Sequence, residues 1–225
     1  MKKTDVVIIG AGAAGLFCAA QLGQAGKNVV VLDSGKKIGR KILMSGGGFC
    51  NFSNLDVTPQ HYLSQNCHFV KSALARYTNW DFIGLVAQYG ITYHEKELGQ
   101  LFCDKGAEEI VQMLQSECDK GKVDIQLRQA VVSVEKVANH FEIQTASETY
   151  QAQHLVIATG GLSMPALGAS PFGYKVAEQF SIPVIAPRAS LVPFTWKESD
   201  KPFATLSGIA LPVTVSNDRI SFSNQ

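Results

Sequence analysis

No two cysteines in this 225-residue sequence are spaced C-x-x-C, and the five present (Cys18, Cys50, Cys67, Cys103, Cys118) are odd in number and scattered. That pattern excludes a disulfide framework and a cysteine zinc site, and it points to a reducing, cytoplasmic setting. The five histidines (His61, His68, His94, His140, His154) show no H-x-x-x-H or H-E-x-x-H spacing, so no metal is expected. Neither sign of charge is in excess, with 20 Lys and Arg against 19 Asp and Glu. So even a balance gives no electrostatic reason to expect nucleic acid or an anionic membrane as a partner. Long apolar runs are missing too. After Lys2, Lys3 and Asp5, the uncharged stretch from Val6 to Gly26 is broken by glycines at 10, 12 and 15. It therefore lacks the roughly 18 continuous apolar residues of a membrane span, and a signal segment is not expected either. Repeats, low-complexity tracts and charged tails are absent. With 46% hydrophobic residues, the chain can bury one sizeable core, or one domain and part of another.

What is present is concentrated at the start. Val6-Val7-Ile8-Ile9 is an unbroken β-branched run, as a strand buried on both faces of a parallel sheet requires. It runs into Gly10-Ala11-Gly12-Ala13-Ala14-Gly15, then an apolar helix pattern closed by Gly26, then Val29-Val30-Val31-Leu32-Asp33. This is the order of a dinucleotide-binding βαβ unit. Gly10 makes the tight turn, Gly12 lets backbone approach a pyrophosphate, and Gly15 packs the helix on the strand. Asp33 ends the second strand, where a carboxylate accepts hydrogen bonds from an adenosine ribose.

Downstream, Ser45-Gly46-Gly47-Gly48 follows a stretch with four cations, Lys36, Lys37, Arg40 and Lys41. So many adjacent glycines make sense where backbone lies against an anionic ligand. From Asn66 to Gly90 the periodicity predicts two helices with Asn66 and Asn79 as N-caps. Short strands follow near 91–94 and 101–103, then a helix over about 105–119. Segments 123–127, 130–136, 141–145 and 149–151 read as a β-meander, delivering the chain into a second buried strand, His154 to Ile157, that stops at Ala158-Thr159-Gly160-Gly161. Small residues at a strand's carboxyl end thin the cover over the sheet edge where ligands of open α/β folds bind. A short helix over 174–180 and a hairpin, 209–215 with 219–222 around Ser216-Asn217-Asp218, complete the expectation.

These motifs carry a resemblance. G-A-G-A-A-G at 10–15, G-R-K-I-L-M-S-G-G-G at 39–48, C-N at 50–51, L-G-Q-L-F at 98–102, A-T-G-G at 158–161, G-A-S-P-F-G-Y-K at 168–175 and L-V-P-F at 191–194 recur in order. On them the chain resembles the bacterial NAD(P)/FAD-dependent oxidoreductases, the aminoacetone-oxidase-like FAD-binding flavoproteins of glutathione-reductase-type fold. The resemblance implies an α/β chain: a Rossmann-like FAD-binding domain with a parallel sheet and a β-meander over 1–188, then the opening of an inserted β-rich domain over 189–225. It also implies a non-covalent FAD held by Gly10, Gly12, Ala13, Ala14, Gly15, Asp33, Ser34, Lys41, Ser45, Gly46, Gly47, Gly48, Asn51, Val131, Ala158, Thr159, Gly160 and Gly161. Of these, Gly10, Gly12, Ala14 and Gly15 would meet the pyrophosphate and Asp33 the ribose. Lys41 and Ser45–Gly48 would lie along the phosphates and flavin, Val131 would meet adenine through its backbone, and Thr159–Gly161 would close the site. Family members typically carry arginine where this chain has Phe49, and they run to about 400 residues with a returning glycine-rich segment, so the sequence reads as a C-terminally truncated form.

The expected function is a flavin-dependent oxidoreductase acting on a small organic substrate, with NAD(P)H as a transient donor, or oxygen, as redox partner; no second G-x-G-x-x-G offers a nicotinamide domain. No catalytic acid or base is legible. Cys50 falls nearest the flavin-side loop, but without a partner it reads as a small packed residue. An NAD-dependent dehydrogenase and a non-catalytic dinucleotide-binding fragment remain open at this stage.

Overall fold

The computed structural model describes residues 1–189, 197, 199, 206, 209, 211–216 and 221–224. The L-V-P-F motif at 191–194 and the turn residues Asn217 and Asp218 lie outside them. The chain divides into two compact units, Met1–Val184 and Ile185–Gln225.

In the first unit, β1 (Lys2–Ile9), α1 (Ala13–Gln24) and β2 (Val29–Asp33) form the expected βαβ unit. Then come α2 (Arg40–Met44), a 3-10 turn at Ser45–Gly48, β3 (Asn51–Asn54), α3 (Lys71–Arg76), α4 (Asn79–Gln88), β4 (Tyr93–Glu95) and β5 (Gln100–Cys103). The unit continues with α5 (Glu108–Lys120), β6 (Asp124–Leu127), β7 (Val131–Val137), β8 (His140–Thr145), β9 (Thr149–Ile157) and α6 (Phe172–Gln179). A six-stranded sheet runs β6-β2-β1-β9-β8-β7, parallel from β6 to β9 and antiparallel through β8 and β7. A smaller antiparallel sheet runs β3-β5-β4. The second unit holds the hairpin β10 (Val213–Ser216) and β11 (Ser221–Asn224).

The unbroken apolar run of β1 is explained by a core on each face. Val6 and Ile8 join Val29 and Val31 against Leu16, Ala19 and Ala20 of α1 and Ile110, Val111 and Leu114 of α5. Val7 and Ile9 join Val30 and Leu32 with Val134, Ile143, Tyr150 and Val176 on the other side. Each fully buried aliphatic chain contributes about 1.5–3 kcal/mol.

Four details differ from the sequence expectation. Segment 123–127 is not part of the meander; as β6 it pairs parallel with β2 at the sheet edge. Segments 149–151 and 154–157 are one strand, β9, whose first half pairs with both β8 and β1. Ile157, expected to be buried, is 37% exposed because it faces the cavity described below. Finally, α4 is capped by Thr78 rather than Asn79: Thr78 Oγ1 accepts from the Asp81 N–H, and Asp81 returns the bond by accepting from the Thr78 N–H at 2.7 Å. Asn79 instead donates to the carbonyls of Asn54 and Leu55, and Asn66 sits in a turn before α3.

One buried carboxylate ties the helices together. Glu117 on α5 accepts from Gln24 Nε2 of α1 at 2.8 Å, from Tyr89 Oη past the end of α4 at 2.6 Å and from Lys120 Nζ at 2.6 Å. Burial alone would raise its pKa, but the bonds from Lys120, Tyr89 and Gln24 outweigh this and hold it at about 2, against an ordinary 4.5. A depressed carboxylate stabilises the fold above its unfolded value and loses that contribution as pH falls toward the folded one. Wild-type stability should therefore fall between pH 4.5 and about 2. Glu117→Gln should cost about 1–3 kcal/mol at pH 7 and flatten that acid limb, read by urea melts at pH 7 and pH 3. An unchanged acid limb would remove this residue from the account.

Candidate functional site

Strands β1, β2 and β9 are parallel neighbours, so their carboxyl ends, Ile9, Asp33 and Ile157, fall on one sheet edge. The glycine turn is stitched into that edge: Gly10 N donates to Leu32 O at 2.8 Å, and Ala158 N donates to Ile9 O at 2.8 Å. Two of its glycines are demanded by close approach. A Cβ on Gly10 would stand 2.4 Å from Ala158 O, and one on Gly15 would stand 1.9 Å from Gly10 O. Gly12 is different. Nothing lies within 4 Å of where its Cβ would be, so its bare backbone faces open space at the start of a 12-residue helix. Gly12 is also the N-cap of α1, offers no side-chain acceptor, and no acid occupies the first turn. The leading N–H groups and the positive end of the helix are thus available to an anion, which is what the pyrophosphate of FAD requires.

Asp33 reaches back to the same turn. Its Oδ2 accepts from Ala11 N at 2.8 Å and its Oδ1 from Gly35 N at 2.6 Å, with Arg40 Nη2 at 3.4 Å from Oδ1. The carboxylate is 13% exposed. It therefore does two jobs that the sequence suggests separately: it fixes the glycine turn, and it leaves lone pairs toward a ribose. The Arg40 guanidinium crosses from Asp33 toward Gly168, where a Cβ would stand 3.1 Å from Nη1.

Between these groups lies a cavity of about 680 Å³, inside the range of cofactor sites. Eleven of the expected cofactor residues line it: Gly10, Gly12, Ala13, Ala14, Asp33, Ser34, Lys41, Val131, Ala158, Thr159 and Gly160. Gly15 lies beneath the turn. Gly161 is tied to the rim, its carbonyl accepting from Lys41 Nζ at 3.0 Å, with Ser163 Oγ 3.4 Å from the same ammonium. Ser45, Gly46, Gly47, Gly48 and Asn51 do not line this cavity. They form the adjoining turn and the start of β3, with Gly46, Gly47 and Gly48 at φ of 57°, 67° and 96°. Sequence reading missed Gln129, Ala130, Leu167, Ala169, Ser170 and Phe172 as lining residues. The G-A-S-P-F-G motif was the signal for the last group.

Cys50 is 5% exposed, and burial pushes its thiol up in pKa, against a weaker opposing hydrogen bond from Ser45. A buried thiol of that kind is a packed side chain rather than a nucleophile. Phe49, in the position where the resemblance leads one to look for arginine, is exposed. Among the described residues no cluster of His, Cys, Asp and Glu could hold a metal, and no helix is long and apolar enough to cross a membrane.

A parallel sheet entering a glycine turn at a helix start, an acid at the tip of the next strand and a meander beside them define an FAD-binding Rossmann fold of the oxidoreductase type. The chain belongs to the family of HI0933-like proteins, residues 4–220 matching that family's Rossmann domain. It is 70% identical over 219 residues to the ribosomal RNA dihydrouridine synthase of Haemophilus influenzae, a match covering 96% of this chain and 55% of the relative. The protein of the same name from Escherichia coli is 57% identical, over 100% of this chain and 57% of the relative. The chain thus spans little more than half the length of these relatives. In fold it is similar to 3-ketosteroid-delta4-(5alpha)-dehydrogenase from Rhodococcus jostii RHA1, with a TM-score of 0.54 at 15% identity, covering 72% of this chain and 46% of the other.

Proposed function

We propose that this chain is the FAD-binding part of a reductase that saturates the 5,6-double bond of a uridine in ribosomal RNA, with NAD(P)H as electron donor. The observation that carries the reading is the 70% identity, along nearly the whole chain, with a relative named ribosomal RNA dihydrouridine synthase. The cavity supports it. FAD supplies two-electron transfer when bound. Gly12 and the first turn of α1 would hold its pyrophosphate, Asp33 its ribose, and Lys41 would add a positive charge at the rim. The proposal replaces the small-molecule substrate, and the lack of a nucleic-acid partner, expected from composition. An even net charge argues against a broad basic surface, but a reductase that reaches a single base has no need of one across this half of the protein.

The test is genetic and chemical. Deleting the gene should remove dihydrouridine from host ribosomal RNA, read by mass spectrometry of its nuclease fragments. The whole wild-type gene should restore it, and a copy carrying Gly12→Val should not. Dihydrouridine content unchanged by the deletion would defeat the reading.

A further inference from the structure

Beside the cofactor cavity, the small sheet presents a second constellation of chemically competent side chains. Register sets Asn51 of β3 opposite Phe102 of β5, and Phe102 opposite His94 of β4. Directly paired residues share a face, so these three form one row across the sheet, on the side away from buried Leu101 and Cys103. The His94 and Phe102 rings are stacked at 19°, their centroids 6.2 Å apart, and the Lys96 ammonium lies 5.4 Å from the Phe102 centroid. His94 Nδ1 is 2.8 Å from Asp104 Oδ1. The row abuts the triglycine turn: a Cβ on Gly46 would stand 2.7 Å from Phe102 Cε1. Next to it, nothing lies within 4 Å of where a Cβ on Gly47 or Gly48 would be. Bare backbone therefore separates an aromatic plate, a cation and a histidine–carboxylate pair from the side of the molecule where FAD would lie.

We propose that this row is the substrate platform: a uracil ring lies on the Phe102–His94 plate, and His94, held by Asp104, is the acid that protonates it. The inference rests on the uridine reading above. Stacking on an aromatic ring with a cation nearby is how single-stranded RNA bases are held, and Lys96 is placed for a flanking phosphate. The chemistry needs an acid. When the uracil 5,6-double bond accepts a hydride from reduced FAD at one carbon, the electron pair of that bond moves toward the conjugated carbonyl, and the other carbon must take a proton. Asp104 accepts from Nδ1–H, which turns Nε2 toward the substrate. Nε2 gives up its proton to the carbon, the ring recovers one from solvent, and FAD, left oxidised, is reduced again by NAD(P)H.

The experiment uses the whole protein as wild type, His94→Gln and Asp104→Asn, with a short unmodified uridine-containing RNA from ribosomal RNA. Two quantities are read: the NMR signals of the His94 ring, assigned by their loss in His94→Gln, and single-turnover formation of dihydrouridine. The RNA should move the His94 signals. His94→Gln should keep wild-type flavin content and RNA affinity but slow the single turnover by about 10²–10⁴-fold, the usual contribution of a positioned acid. Asp104→Asn, a change at a positioning residue, should shift the His94 signals in the free protein and slow the step less. His94 signals that ignore the RNA, or a His94→Gln protein that turns over like wild type beside an active wild type, would overturn the platform alone. A wild type that forms no dihydrouridine would defeat the uridine reading and the platform with it.

Discussion

Valine at Gly12 is expected to empty the protein of flavin while leaving its fold intact, and valine at Gly15 is expected to destroy the fold itself. The two positions lie three residues apart in one motif and differ in what a side chain would meet. At Gly12 there is open space, with nothing within 4 Å. An isopropyl group there clashes with no protein atom but occupies the volume in which a pyrophosphate would contact the helix start. At Gly15 a Cβ would stand 1.9 Å from Gly10 O. Relief requires α1 to lift from the turn, at a cost of about 3 kcal/mol or more, the upper end for overpacking. Flavin absorbance per chain and thermal melts followed by circular dichroism separate the outcomes. A Gly12→Val protein that purifies with stoichiometric flavin would mean that the pyrophosphate lies elsewhere, and a Gly15→Val protein that melts like wild type would mean that the helix has room to move.

Asp33→Ala should weaken FAD binding by about two to three orders of magnitude and also lower stability. The ribose contact alone is worth about 1.5–3 kcal/mol as a hydrogen bond to a charged group. The structure adds a second loss: Ala11 N and Gly35 N, at 2.8 and 2.6 Å from the carboxylate, would lose their acceptor, and each unsatisfied donor costs about 1–3 kcal/mol where water cannot replace it. Asp33→Asn, which keeps one acceptor oxygen but no charge, should fall between alanine and wild type. Titration with FAD and a melt of the apoprotein measure the two parts. Weakened binding with an unchanged melt would assign Asp33 to the ribose only, and unchanged binding would remove it from the site.

What was legible from sequence was what is local. The βαβ unit could be read because strand, turn, helix and acid occupy 33 consecutive residues, each with its own signal of β-branching, glycine or periodicity. The partners of those elements were harder. Alternation in 123–127 announces a strand but is silent on direction, so β6 was grouped with the meander rather than beside β2. Gln151, Gln153 and His154 interrupt the apolar pattern of β9, which hid one continuous strand under two apparent ones. In the site, Asp33 was legible by its distance from Gly10. Its bond to Ala11 N and the approach of Arg40 were not, because they depend on how the chain returns after β2. The lining from Leu167 to Phe172 comes from a loop of small residues and proline, whose composition marks a loop but not where it folds back.

The place of β9 has a consequence for how the protein is made. Val6 pairs with Val29, 23 residues on, but also with His154, 148 residues on. At about 5–20 residues per second, translation leaves that second edge of β1 open for roughly 7–30 s after the strand itself exists. The N-terminal βαβ unit can dock within that interval, but it stands as a half-walled nest with a row of unsatisfied amides along one side. Any other extended segment, from the same nascent chain or its neighbour on the polysome, competes for that row until β9 arrives. The last strand of the parallel sheet to be synthesised thus both shuts the edge and brings Ala158 against Gly10, so a chain arrested before residue 158 has no finished seat for a nucleotide, however well its first 33 residues have folded.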